Sequence, residues 1–229
     1  LGIEFEVVDQ RLHRALHLPP ARWSDLGVLR HHRLEPAYRA QQMKGEWKLL
    51  RQTLSQDRRI GILGLGHLGR SCGEMLGRFG FPVAGWSRSE KDIPGIESFS
   101  GEDGLFSMLE QSDILVCLLP LTPETEDVLD STTLSALPLG ASLINSGRGK
   151  HVVDDDLIDA LDSGHLSGVT LDVYRQEPLS PDHPFWIHPK IIMYPHAAAW
   201  TLPESAAPVI AKNIRRASSG KRLHGEIDT

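Results

Sequence analysis

Five stretches of the 229-residue chain hold side chains whose types and spacing could do chemistry. In "GILGLGHLGR", Gly64, Gly66 and Gly69 fall in G-x-G-x-x-G spacing between an apolar run and a helix-like one. There the pattern suits a dinucleotide: Gly64 makes the tight turn, Gly66 lets backbone approach a pyrophosphate, and Gly69 lets helix lie close to strand. The N–H groups near His67 and Leu68 would then face the phosphates at the helix N-terminus. In "GWSRSEK", Ser87, Arg88 and Ser89 stand where an NAD site usually offers an acid to the ribose 2′-OH. A guanidinium and two hydroxyls suit a 2′-phosphate instead, so NADP(H) is expected to be preferred, with NAD(H) admissible. Arg148 in "SGRG" and Glu177 in "RQEPL" belong to the third and fourth. The fifth is "YPHAAAW", where His196 ends an apolar run among alanines. Taken singly, His196 reads as a buried imidazole satisfied by a carbonyl, Arg148 as a strand-end ion pair and Glu177 as turn text. Together they follow three successive strand candidates, on the side where open α/β sheets bind ligands.

The elements that must position them alternate from Arg59 onward. Short apolar runs at 59–64, 82–86, 113–119, 142–145, 168–173 and 191–194 read as strands buried on both faces of a parallel sheet. Helical text lies between them, at roughly 67–79, 102–110, 131–137, 154–163 and 203–218. The alternation predicts an α/β fold with a Rossmann-type doubly wound parallel sheet. In "DDDLIDALDSG", Asp154 is expected as an N-cap, Asp155 and Asp156 as dipole partners and Gly164 as the helix stop, in preference to a metal site. No metal is expected elsewhere either, since the eleven histidines show no ligand-like spacing. Residues 23–47 suggest a helix and a second polar helical segment, and "IEFEVV" near the start is strand-like.

Composition narrows the class. A chain that is 40% hydrophobic and 24% charged is ordinary for a globular protein, and a net charge of −6 gives no reason to expect nucleic acid. Cys72 and Cys117 read as small core residues in a reducing, cytoplasmic setting. No run reaches the roughly 20 apolar residues that span a bilayer, so no membrane partner is expected.

Several ordered motifs together resemble the D-isomer-specific 2-hydroxyacid dehydrogenases: "GILGLGHLG", "LLPLTPETEDVL", "LINSGRG", "VVDDDLIDALDSGHLSGVTLDVYRQEPL" and "YPHAAAWT". "GWSRS" and "GEW" are most similar to the glyoxylate/hydroxypyruvate reductase A branch. The resemblance implies an NAD(P)H-dependent reductase of small 2-keto acids. Arg148 would bind the acid, His196 would protonate its carbonyl oxygen, and Glu177 would hold the imidazole and favour its charged form. It further implies that Leu119, Pro120 and Thr125 line the cofactor and that Asp172 meets the nicotinamide carboxamide. Gly147 departs from the family's usual alanine, which would loosen the loop. Three parts are implied: residues 1–26 as a truncated remnant of a flavodoxin-like substrate domain, 27–200 as the dinucleotide domain, and 201–229 as a helix and tail returning to the substrate domain. A homodimer is expected, with the segment 23–47 and its Trp23, Leu26, Val28 and Leu29 at the interface. A non-catalytic NAD(P)-binding module is the alternative, favoured by the short substrate portion.

Overall fold

The computed structural model describes residues 21–198 and 203–223. Its sheet has seven strands in the order β3-β2-β1-β4-β5-β6-β7, every neighbouring pair parallel. The strands are β1 (Ile60–Leu63), β2 (Val83–Trp86), β3 (Ile96–Phe99), β4 (Ile114–Cys117), β5 (Ala141–Asn145), β6 (Leu166–Leu171) and β7 (Ile191–Met193). This is the doubly wound order, and its direction reverses between β1 and β4. Sheets of this kind bind ligands outside the carboxyl ends of the strands at such a reversal, and the glycine loop leaves β1 there.

Alternate residues of each central strand serve opposite layers. Ile60, Ile62, Ile114 and Val116 pack with Val28, Cys72 and Leu76 on one face. Leu63, Leu115, Cys117 and Leu143 pack with Met108, Leu109, Leu157 and Leu161 on the other. Helices α1 (Ala21–His32) and α3 (His67–Arg78) cover the first face, with α2 (Glu35–Lys44) following α1. The second face is covered by α4 (Gly101–Leu109), α5 (Ser131–Ser135) and α6 (Asp154–Asp162), and α7 (Pro203–Ser218) comes last. Both cysteines are free and buried in this core.

Several details differ from the sequence expectations or add to them. Strand β3 was not foreseen; it is an edge strand of which only Ile96 is fully buried. The α6 N-cap is Val153, with no side-chain cap. Asp154 instead turns to His183, 3.4 Å away, while Asp156 accepts from the Ser131 N–H at 2.7 Å and Gly164 takes the left-handed φ of 79° that ends the helix. The division at residues 26 and 27 falls inside α1, which runs unbroken across it and packs on α3, β4 and β5. Val28 is wholly buried against this chain's own sheet, and Leu29, partly buried, packs beside it. Trp23 meets the Tyr194 ring edge-on at 4.5 Å, and Leu26 is left 41% exposed. The strand-like "IEFEVV" and the join at 200–201 lie outside the described residues.

The seam beneath α1 is polar. Asp25 is buried, one of its oxygens (Oδ1) has no hydrogen-bond partner among the described residues, and its carboxyl bonds the Cys72 thiol. Burial pushes its pKa up to about 6 from 3.8, against smaller opposing effects of Cys72 and Arg22. A raised folded-state pKa stabilises the fold below the unfolded value and loses that contribution as pH rises through about 6. Asp25→Asn is therefore expected to stabilise the chain near neutral pH by about 1–3 kcal/mol, with the gain shrinking towards zero near pH 4. Urea melts at the two pH values check this; an equal effect at both would refute the linkage.

Candidate active site

The glycine loop joins β1 to α3. Gly64 holds a φ of 101°, and a Cβ on Gly69 would fall 1.9 Å from the Gly64 carbonyl oxygen, so helix and strand approach only because both are glycines. At Gly66 a Cβ would meet nothing within 4 Å, which leaves backbone open to the crevice. The first helical bond of this turn runs from the Arg70 N–H to the Gly66 carbonyl at 2.9 Å. The N–H groups of His67, Leu68 and Gly69 precede it, and no preceding turn supplies them with acceptors. These features fit a pyrophosphate.

At the end of β2 the three residues divide. Ser87 is buried and its hydroxyl donates to the Ser89 carbonyl at 2.7 Å, which shapes the turn. Arg88 and Ser89 are exposed. Lys91 donates to the Ser89 hydroxyl at 3.1 Å and brings a second cation to this corner. Arg88 also helps to hold the Glu124 carboxyl, on the loop after β4, below its ordinary pKa, after larger effects of the Thr122 side chain and the backbone.

The loops after β5, β6 and β7 carry Arg148, Glu177 and His196, and the three strands are neighbours. Imidazole Nδ1 of His196 lies 2.7 Å from Glu177 Oε2. Both side chains are partly open, at 49% and 35% exposure. The Tyr174 N–H donates to Oε1 of Glu177 at 2.9 Å, fixing the carboxylate from behind. A cavity of about 610 Å³ adjoins the pair, walled by Tyr174, Leu179, Trp186, Met193 and Tyr194.

His196 has a φ of 54°, costly for a residue with a Cβ, so its surroundings must hold it. Asp172 does so at three points. Its carbonyl accepts the His196 N–H at 2.9 Å, and its two carboxylate oxygens accept the N–H groups of Ala197 at 2.7 Å and Ala198 at 3.0 Å. Burial raises the pKa of this carboxyl, and the Ala198 and Ala197 N–H groups pull it back.

Arg148 is partly buried on a loop clipped by the side chain of Asn145, which accepts the Gly147 N–H at 3.1 Å and donates to the Arg148 carbonyl at 3.0 Å. A Cβ at Gly149 would fall 1.8 Å from the Tyr174 carbonyl carbon, so the β5 and β6 loops touch backbone to backbone. That contact sets Arg148 beside the stretch that leads to Glu177. At Gly147 a Cβ would come 3.1 Å from the His151 ring and from the Leu119 carbonyl, so the loop is tight here and the expected loosening is not seen.

A model of the D-isomer specific 2-hydroxyacid dehydrogenase NAD-binding domain matches residues 26–198. The chain belongs to the D-isomer specific 2-hydroxyacid dehydrogenases. Among solved structures, a family member from Xanthobacter autotrophicus Py2, in complex with NADPH and MES, is 38% identical with a TM-score of 0.89, over 96% of this chain and 89% of that one. One from Klebsiella pneumoniae 342 is 39% identical with a TM-score of 0.89, over 96% and 70%. The NADPH-dependent glyoxylate/hydroxypyruvate reductase of Sinorhizobium meliloti, in complex with NADP and sulfate, is 36% identical with a TM-score of 0.87, over 96% and 70%.

Within this dehydrogenase fold the expected cofactor residues Leu119, Pro120 and Thr125 follow β4. Leu119 is buried in the core and Pro120 is exposed at the crevice. The Thr125 hydroxyl donates to the Pro120 carbonyl at 2.8 Å and accepts the Thr122 N–H at 2.8 Å, so it braces the loop. Asn145, the bracing role of Asp172, and Lys91 were missed. An Asn ending an apolar strand before "SGRG" is the one signal that could have pointed to the clip. Among the described residues no group of three or more His, Cys, Asp or Glu is placed to hold a metal, and no helix is long and apolar enough to cross a membrane.

Proposed function

We propose that the chain is an NADP(H)-preferring reductase of small 2-keto acids of the glyoxylate and hydroxypyruvate type. One observation carries the reading: an imidazole 2.7 Å from a carboxylate, held open in a strained backbone at the ligand-binding ends of the strands, next to the loop of Arg148. When bound, the reduced nicotinamide supplies the hydride. The fork of Arg148 takes the keto acid by its carboxylate and carbonyl oxygen, which orients the carbonyl and stabilises the charge that develops on it. His196 gives its ring proton to that oxygen, and Glu177 stabilises the imidazolium before transfer. In the oxidative direction the same ring takes the proton back.

On the cofactor side, Gly64, Gly66, His67, Leu68 and Gly69 receive the pyrophosphate, and Arg88, with Ser87, Ser89 and Lys91 around it, receives the 2′-phosphate. Pro120 would line the nicotinamide side, with Leu119 and Thr125 supporting it, and Asp172 would meet the carboxamide. NADP and NADPH in the related structures support this choice. Following NADPH absorbance with glyoxylate, hydroxypyruvate and pyruvate tests the reading, and no consumption with any of them, in a chain that binds NADPH, would refute it.

The reading includes a homodimer, but with the contact shifted along the expected segment. Met43, Trp47 and Leu49 are exposed by 87%, 103% and 88%, an apolar group at and just beyond the end of α2 that a second subunit would cover. Light scattering at micromolar concentration is expected to give twice the chain mass. Trp47→Glu should shift it towards one chain mass, and a strictly monomeric wild type would refute the dimer.

A further inference from the structure

We propose that His151 is a positioning residue: one buried imidazole that ties the Arg148 loop to the Leu119–Pro120 loop, and so sets the keto acid clamp against the cofactor side of the crevice. The proposal rests on the reading of Arg148 given above.

His151 is completely buried at the end of the 3-10 turn Gly149–His151. Its Nδ1 accepts the backbone N–H of Arg148 at 3.1 Å. A backbone N–H can only donate, so Nδ1 carries no proton and Nε2 must carry one. Nε2 lies 3.4 Å from the Pro120 carbonyl, the same oxygen that takes the Thr125 hydroxyl at 2.8 Å. The Cys117 sulfur, at the end of β4, is 3.5 Å from Nδ1. The ring thus joins the β5 loop to the β4 loop, with Gly147 wedged between it and the Leu119 carbonyl.

Electrostatics favour a neutral ring. Burial lowers the pKa of His151, the Pro120 carbonyl opposes that, and the Arg148 charge adds to the lowering. A ring that only filled space would need neither bond. A ring that positions Arg148 must keep Nδ1 as an acceptor, since losing it leaves a buried N–H unpaired on the residue that grips the substrate.

The test has two readouts. Nitrogen-15 NMR of the imidazoles in the cofactor-free chain should show His151 as the neutral Nε2–H tautomer throughout the neutral range; an Nδ1–H tautomer would overturn the proposal. Keto acid kinetics at saturating NADPH then compare three variants. His151→Leu, which fills the space without either bond, should raise KM by about tenfold or more. His151→Asn puts an acceptor where Nδ1 was and should bring KM back to within about threefold of wild type, whereas His151→Gln, with its amide further out, should not. If His151→Leu does not fold, the Asn–Gln contrast alone decides, and equal KM values in those two overturn the proposal. Arg148→Gln separates the two claims. A harmless Arg148→Gln overturns the clamp and this proposal with it, whereas a damaging Arg148→Gln beside a harmless His151→Leu overturns this proposal alone.

Discussion

His196→Ala is expected to lower the rate of keto acid reduction by about 10²–10⁴-fold while NADPH affinity stays within a few-fold of wild type. The split follows from position. His196 sits on the loop after β7, at the far side of the sheet's carboxyl edge from the glycine loop after β1, so its loss removes the proton donor and leaves the phosphate contacts intact. Loss of the partner tests the role further. Glu177 places a carboxylate oxygen 2.7 Å from Nδ1, and Glu177→Gln removes that charge while keeping an oxygen there. Losing a charge-assisted bond to the proton donor should slow reduction by about 10–100-fold, with NADPH affinity again within a few-fold of wild type. Stopped-flow rates measure it, and an unchanged rate in Glu177→Gln would mean that His196 works without Glu177.

Arg88→Ala is expected to weaken NADPH binding by about 1.5–3 kcal/mol, the loss of a charge-assisted bond, and to leave NADH binding nearly unchanged. The structure gives Arg88 this weight: Ser87 spends its hydroxyl inside the turn, and Lys91 already donates to Ser89. Arg88 is the exposed guanidinium of the corner. Lys91→Ala should cost less, because a single ammonium at the edge cannot reproduce a planar fork. Isothermal calorimetry with both cofactors checks the pair, and equal losses for NADPH and NADH in Arg88→Ala would remove the 2′-phosphate role.

The parts of the fold that could be read in advance are those where burial writes itself into the residues. The five central strands are apolar throughout or nearly so because both faces are covered, and the edge strand β7 is apolar as well although only partly buried. Strand β3 escaped notice for the opposite reason. As an edge strand it has one neighbour, tolerates Glu97 and Ser98, and carries little apolar signal in "GIESF". The packing of Val28 and Leu29 on this chain's own sheet was equally hidden, because they are apolar whether they meet that sheet or another subunit. Only packing separates the two.

In the site, glycine spacing and the Arg, Glu and His were legible because few residue types can do their work. The groups that hold them were not. Asn145, His151 and Asp172 act by accepting or donating single bonds to backbone far away in sequence or just ahead of them. Thr125, expected as a cofactor contact, also braces Pro120, which its place in the sequence does not reveal. Such pairings depend on which loops lie side by side, and strand order decides that.

The most direct measurement of the central claim is product analysis after NADPH-driven reduction of hydroxypyruvate by the wild-type chain and by His196→Ala, with NADPH binding verified in both. The account expects NADPH to be consumed one for one with formation of D-glycerate by the wild type, and consumption to fall by at least about a hundredfold in the variant. A wild-type chain that binds NADPH and forms no hydroxy acid, or a His196→Ala variant as fast as the wild type, would contradict it.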